Sequence, residues 1–163
     1  MFNRRHFLAL ASATALASCA PAGPFTPIPP ATRLIVLRHA DKDDKFLSTK
    51  GHARAANLPA ALDGVDIAVL YTRNLDRNLA TARPLAQARG MRVQPLPAAG
   101  LEQTLFRGNT GRSIAWIGNS SNIIPLWETL GAPGSPHTDY GDIALLERGP
   151  RDRPTVQRLR FEA

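Results

Sequence analysis

The chain is short of cysteine, of acidic charge and of long apolar runs. With Cys19 as its one cysteine, it can form no intramolecular disulfide and no cysteine-based zinc finger, so a small stapled scaffold is excluded. It has no H-x-x-x-H pair, and its one acidic cluster is the DKDDK stretch from Asp41 to Lys45, so neither a metal nor a cofactor is expected. The longest apolar run, Phe7 to Ala17, is 11 residues, against about 20 for a permanent membrane span. Acidic residues number 13 against 20 basic ones, a net charge of +7. However, 17 of the 20 are arginines scattered along the chain without a block, and a nucleic-acid partner is not expected from such a distribution.

The 163 residues are enough for one domain and too few for two, since a core takes roughly 100–150 residues. Residues 1–19 read as an address: Arg4 and Arg5 precede the apolar run, and small residues lead up to Cys19. NRRHFL resembles a twin-arginine export signal, with Asn3 where Ser or Thr is commoner, and the general secretory route stays open. LASC, Leu16 to Cys19, resembles the lipobox of bacterial lipoproteins, which implies a lipid anchor on Cys19 and a protein exported to the cell envelope. Residues 20–31 carry five prolines in twelve positions and read as a semi-extended tether. Removing residues 1–18 leaves 18 basic and 13 acidic residues, or +5.

Beyond Thr32 short apolar runs alternate with Ala-rich segments. That pattern predicts an α/β fold, a three-layer α/β/α sandwich around a mainly parallel sheet. Strands are expected over 33–37, 66–70, 91–94, 113–117, 143–147 and 156–161, and helices over 50–62, 75–89 and 122–130, the last two stopped by Gly90 and Gly131. The segment 98–112 is polar, Gly-rich and without a clear pattern. Reactive groups in such sheets gather beyond the carboxyl ends of the strands. RLIVL runs there into Arg38 and His39, DIAVL into the helix bearing Arg77, and SIAWI into Gly118 and Asn119.

Five segments in order resemble the histidine phosphatase superfamily: VLRHA (36–40), LSTKGHARAANL (47–58), TRNLDRNLATA (72–82), WIGNSSNIIPLWETLG (116–131) and YGDIALLE (140–147). They span about residues 32–161. The resemblance implies a phosphoglycerate mutase-like fold and phosphomonoester hydrolysis through a phosphohistidine, with no cofactor or metal, on a phosphorylated small molecule or a phosphoprotein. It makes His39 the nucleophile and Arg38 and Arg77 the cationic forks on the phosphoryl oxygens, whose charge favours the neutral imidazole needed for attack. Glu102 lies where many members place the proton donor; an ordinary exposed glutamate at a helix start is the alternative. Asp41, Asp43 and Asp44 read more simply as a solvated loop.

Asn119 stands where members of the family place a second histidine. An amide donor is neutral and shorter in reach, and a missing transition-state donor costs about 10²–10³ in rate. Neither His52 nor His137 is expected to replace it. Two outcomes follow, a weakened phosphatase or an inactive binder of phosphate or of a partner protein.

Overall fold

The structure is a computed structural model and describes residues 25–163; the segment read as an export signal, with Cys19, lies outside the described residues. A six-stranded sheet in the order β5-β4-β6-β1-β7-β8 forms the middle layer. Its strands are β1 (Arg33–Arg38), β4 (Val69–Thr72), β5 (Val93–Pro95), β6 (Ser113–Gly118), β7 (Asp142–Arg148) and β8 (Pro154–Arg160). β5, β4, β6 and β1 run parallel, β7 turns antiparallel to β1, and β8 is antiparallel to β7.

The central strands are buried on both faces, as their unbroken apolar runs require. Leu34 and Val36 of β1 face one way, with Ile114, Trp116, Ala144 and Leu146, against helices α3 (Leu101–Phe106) and α4 (Ser120–Leu130). Ile35 and Leu37 face the other way, with Ile117, Ile143 and Leu145, against α1 (Thr49–Ala61) and α2 (Asp76–Arg89). The two-residue side-chain period of a strand thus splits one apolar run into two cores and yields the three layers. Gly90 and Gly131 end α2 and α4 in the left-handed conformation, with φ of 61° and 63°.

Several expectations shift. The strand read over 66–70 forms at 69–72, with Ala68 still donating to the Ser113 carbonyl at 2.9 Å. The unassigned stretch contains α3. The DKDDK loop is a minute hairpin, β2 (Lys42–Asp43) on β3 (Phe46–Leu47), turning through Asp44 at φ 52°. The second half of the proline-rich segment is not a free tether: Ile28 is fully buried in the core and the Thr26 N–H donates to the Thr129 carbonyl at 2.8 Å. Packing on the domain therefore already includes residues ahead of Thr32.

Candidate active site

β1 ends by delivering His39 to the carboxyl edge of the sheet, where the His39 N–H donates to the Gly118 carbonyl of β6 at 3.0 Å. That bond extends the β1–β6 ladder by one residue and sets the nucleophile candidate beside the start of α4. The imidazole is almost entirely buried, 1% exposed. Its Nδ1 lies 2.8 Å from the Ala40 carbonyl. A carbonyl only accepts, so Nδ1 carries the proton and Nε2 keeps its lone pair. Arg77 Nε donates to that Nε2 at 3.2 Å. Burial, together with the charges of Arg38, Arg77 and Lys42, lowers the His39 pKa to about 4, against the pull of the Ala40 carbonyl. The ring is therefore neutral at physiological pH, with its Nε2 lone pair accepting from the Arg77 guanidinium.

Arg77 reaches this position from the first turn of α2. Two buried contacts fix that helix to the site: Thr81 Oγ1 accepts the Ala40 N–H at 3.0 Å, and Asn78 Nδ2 donates to the Ile117 and Gly118 carbonyls at 3.0 and 3.2 Å. Arg38 is held from the other side. Its Nη1 donates to the Thr138 carbonyl at 2.9 Å, its Nη2 to the Tyr140 hydroxyl at 3.3 Å, and its guanidinium lies 4.2 Å from the Tyr140 ring centroid. The same ring sits 5.8 Å from that of His39. Among the described residues neither Arg38 nor Arg77 pairs with a carboxylate. Two guanidiniums without counter-charge beside a neutral imidazole make a local excess of donors suited to an anion.

Asn119 is the N-cap of α4 and directly follows the glycine that bonds to His39. It is 9% exposed. Its backbone N–H donates to Asn122 Oδ1 at 3.1 Å, and Asn122 Nδ2 donates to Asn119 Oδ1 at 3.4 Å. Asn122 Oδ1 also accepts from Trp116 Nε1 at 3.2 Å.

The carboxylates stand apart from this group. Glu102 on α3 lines a small cleft of about 90 Å³ with Ser121, Asn122 and Pro125, one turn along α4 from Asn119, and no hydrogen bond joins it to the described residues. Asp41 is structural: its carboxylate takes Arg54 Nε at 2.6 Å, while buried Arg54 also donates to the Phe161 carbonyl at 2.7 Å. Burial pushes that carboxyl up, yet the hydrogen bond and charge of Arg54 hold it below the ordinary aspartate range. Asp43 and Asp44 are exposed, as a solvated loop should be. His52 is exposed on α1, and buried His137 lies 5.4 Å from the Trp127 ring with neither ring nitrogen partnered among the described residues. Neither is tied to His39 or Asn119. Among the described residues no cluster of three or more His, Cys, Asp or Glu is placed to hold a metal ion.

Tyr140 and Thr138 were not singled out by the sequence. A mainly parallel reading places the residues before 143–147 at the far end of the sheet. Because β7 is antiparallel to β1, with Ile143 opposite Leu37, its first residues instead arrive beside Arg38. The signal that could have found them is the Gly- and Pro-containing stretch 131–141 after α4, which carries the chain back to the carboxyl edge before the apolar run of β7 begins.

Residues 34–101 match the family model of the Histidine phosphatase superfamily (branch 1). No curated protein matches the chain. Among solved structures, the protein histidine phosphatase SixA complexed with tungstate is 18% identical, with a TM-score of 0.61 over 78% of this chain and 96% of that one. YhfR of Bacillus stearothermophilus is 16% identical, with a TM-score of 0.63 over 77% and 95%. A mycobacterial glucosyl-3-phosphoglycerate phosphatase in complex with VO3 is 14% identical, with a TM-score of 0.60 over 77% and 96%. The chain shares the fold of these proteins along nearly their full length.

Proposed function

We propose that this chain is a phosphomonoesterase of the histidine phosphatase superfamily, working slowly because Asn119 stands in for a second histidine. The observation that carries this reading is the His39 imidazole: neutral, Nδ1–H committed to the Ala40 carbonyl, and Nε2 directed at Arg77. A phosphoryl oxygen accepts the Arg77 N–H that now goes to Nε2, and this frees the lone pair. Nε2 attacks phosphorus as the ester P–O bond breaks; Arg38, Arg77 and the Asn119 amide take the oxygens, and the leaving alkoxide takes a proton from Glu102. Water, giving its proton to the Glu102 carboxylate, then adds to phosphorus as the P–N bond breaks, giving orthophosphate and restoring neutral His39 and protonated Glu102. The substrate class is a phosphorylated small molecule or a phosphoprotein.

A second reading, an inactive binder of phosphate or of a partner, is favoured by the Arg77 contact that caps Nε2 and by the placement of Glu102 on α3 in a separate cleft against Ser121, Asn122 and Pro125. The full-length chain assayed with an aryl phosphate separates the two. Activity lost in His39→Ala and raised about tenfold or more in Asn119→His supports the enzyme. No activity in either the native chain or Asn119→His supports the binder.

The proposed site of action is the cell envelope, by way of residues 1–19 and a lipid on Cys19. Support comes from the Arg4–Arg5 pair and from LASC; among the described residues no helix is long and apolar enough to cross a membrane. Membrane fractionation of the native chain and Cys19→Ser tests it, and equal partition of the two overturns it.

A further inference from the structure

A side-chain amide has a donor end and an acceptor end, and only the donor end can serve a phosphoryl oxygen. Whether Asn119 replaces a cationic donor therefore depends on which way its amide faces. Its surroundings decide this by elimination. Trp116 Nε1–H and the Asn119 backbone N–H can only donate, and both point at one atom of Asn122, at 3.2 and 3.1 Å. That atom must be the oxygen. The other end of the Asn122 amide is then the NH₂, 3.4 Å from the Asn119 side chain, so the Asn119 atom it meets must be the oxygen too. The Asn119 NH₂ is left with no partner among the described residues and is not sealed from solvent.

We infer that Trp116 and Asn122 are positioning residues that lock the Asn119 amide with its oxygen turned inward and its NH₂ left for a phosphoryl oxygen, a role that rests on the phosphatase reading above. The parts are buried and rigid: Trp116 is 0% and Asn122 7% exposed. Gly118 leaves the space they occupy, since a Cβ there would overlap Asn122 Oδ1 and come within 2.6 Å of Trp116 Nε1. Without the lock the amide can rotate, and half of its orientations offer an oxygen to an anion.

The test uses the ¹⁵N-labelled full-length chain and orthophosphate. In the native protein the Asn119 NH₂ protons exchange rapidly with water and respond to orthophosphate, while those of Asn122 are protected. Asn122→Asp keeps the acceptor for Trp116 but turns the group facing Asn119 from donor to acceptor. The Asn119 NH₂ then swings to the aspartate and becomes protected, and orthophosphate binding weakens about tenfold or more. In the Asn119→His background the same change weakens binding less than about threefold, because an imidazolium donates from both nitrogens. Trp116→Phe leaves one of the two selecting donors, and gives an intermediate Asn119 exchange rate even if Asn122→Asp does not fold. Unchanged Asn119 exchange in both Asn122→Asp and Trp116→Phe overturns the lock. So does an equal loss of binding in both backgrounds, which is the effect of added charge alone. The predicted exchange pattern without any response to orthophosphate upholds the lock and overturns the phosphatase reading instead.

Discussion

His39 should make the stability of the fold depend on pH in a defined window. In the unfolded chain an imidazole titrates near 6.5; in the folded protein burial, helped by Arg38, Arg77 and Lys42, brings it to about 4. Above pH 6.5 both states hold a neutral ring, and stability is at its full value. Between 6.5 and 4 the unfolded state takes up a proton that the folded state refuses, so stability falls as pH falls. Below 4 both are protonated, and this site costs nothing further. The window from 6.5 to about 4, at about 1.4 kcal/mol per pH unit, corresponds to roughly 3 kcal/mol. That is a large share of the 5–15 kcal/mol typical of a domain. Urea unfolding of the native chain and His39→Asn, measured from pH 8 to pH 4, isolates the effect. His137, whose pKa is also lowered by burial, and Asp41 titrate in both proteins and cancel in the difference. The two curves should converge by about 3 kcal/mol over the window. Parallel curves would refute the reasoning, since His39 would then not be held neutral by its site.

Arg77→Ala removes the guanidinium over Nε2; turnover of an aryl phosphate should fall about 10²–10³-fold, and the His39 Cε1 proton followed by NMR should titrate at higher pH than in the native chain. Asp41→Asn leaves buried Arg54, 4% exposed, with only the longer contact to the exposed Glu162 carboxylate at 3.4 Å. Such a change should cost about 3 kcal/mol in urea unfolding at neutral pH. Because the Asp41 carboxyl is held below the ordinary range, the deficit of the variant should shrink as pH falls through the acid range and the native pair is lost. Gly118→Ala drives a methyl group into Asn122 and Trp116; a loss of about 1–3 kcal/mol is expected, with a changed Trp116 fluorescence, and a neutral outcome would mean the close approach is relieved at no cost.

The layers, the sheet's central strands and the placement of His39, Arg77 and Asn119 at its carboxyl edge were legible because each follows from a local pattern: a buried apolar run, a glycine stop, a residue one step past a strand. What escaped depended on pairings between distant segments. Nothing in YGDIALLE says that its strand runs antiparallel to RLIVL, yet that direction is what brings Thr138 and Tyr140 to Arg38. The Asn122 amide reads as an ordinary helical residue until Trp116 is seen across from it. Helix α3 was hidden by its length, since six residues are too few to display a 3.6-residue period. Ile28 was lost among prolines, because composition predicts how a segment bends and not whether it finds a core to enter.

The docking of Phe25 has a consequence for direction. Its ring lies against Gly131, where a Cβ would come within 2.5 Å, and the Arg153 guanidinium sits 4.5 Å from its centroid. These contacts are at the foot of α4, whose head carries Asn119, and 11 residues of helix put about 16 Å between the two. Phe25, the first of the described residues, thus sits at the pole of the domain opposite His39. If the anchoring proposed above holds, a lipid on Cys19 would be tied within about 20 Å of Phe25, the most that six residue steps can span, and so nearer to this pole than to the His39 edge. Such a tether would favour phosphate esters dissolved in the surrounding medium over those embedded in the supporting leaflet.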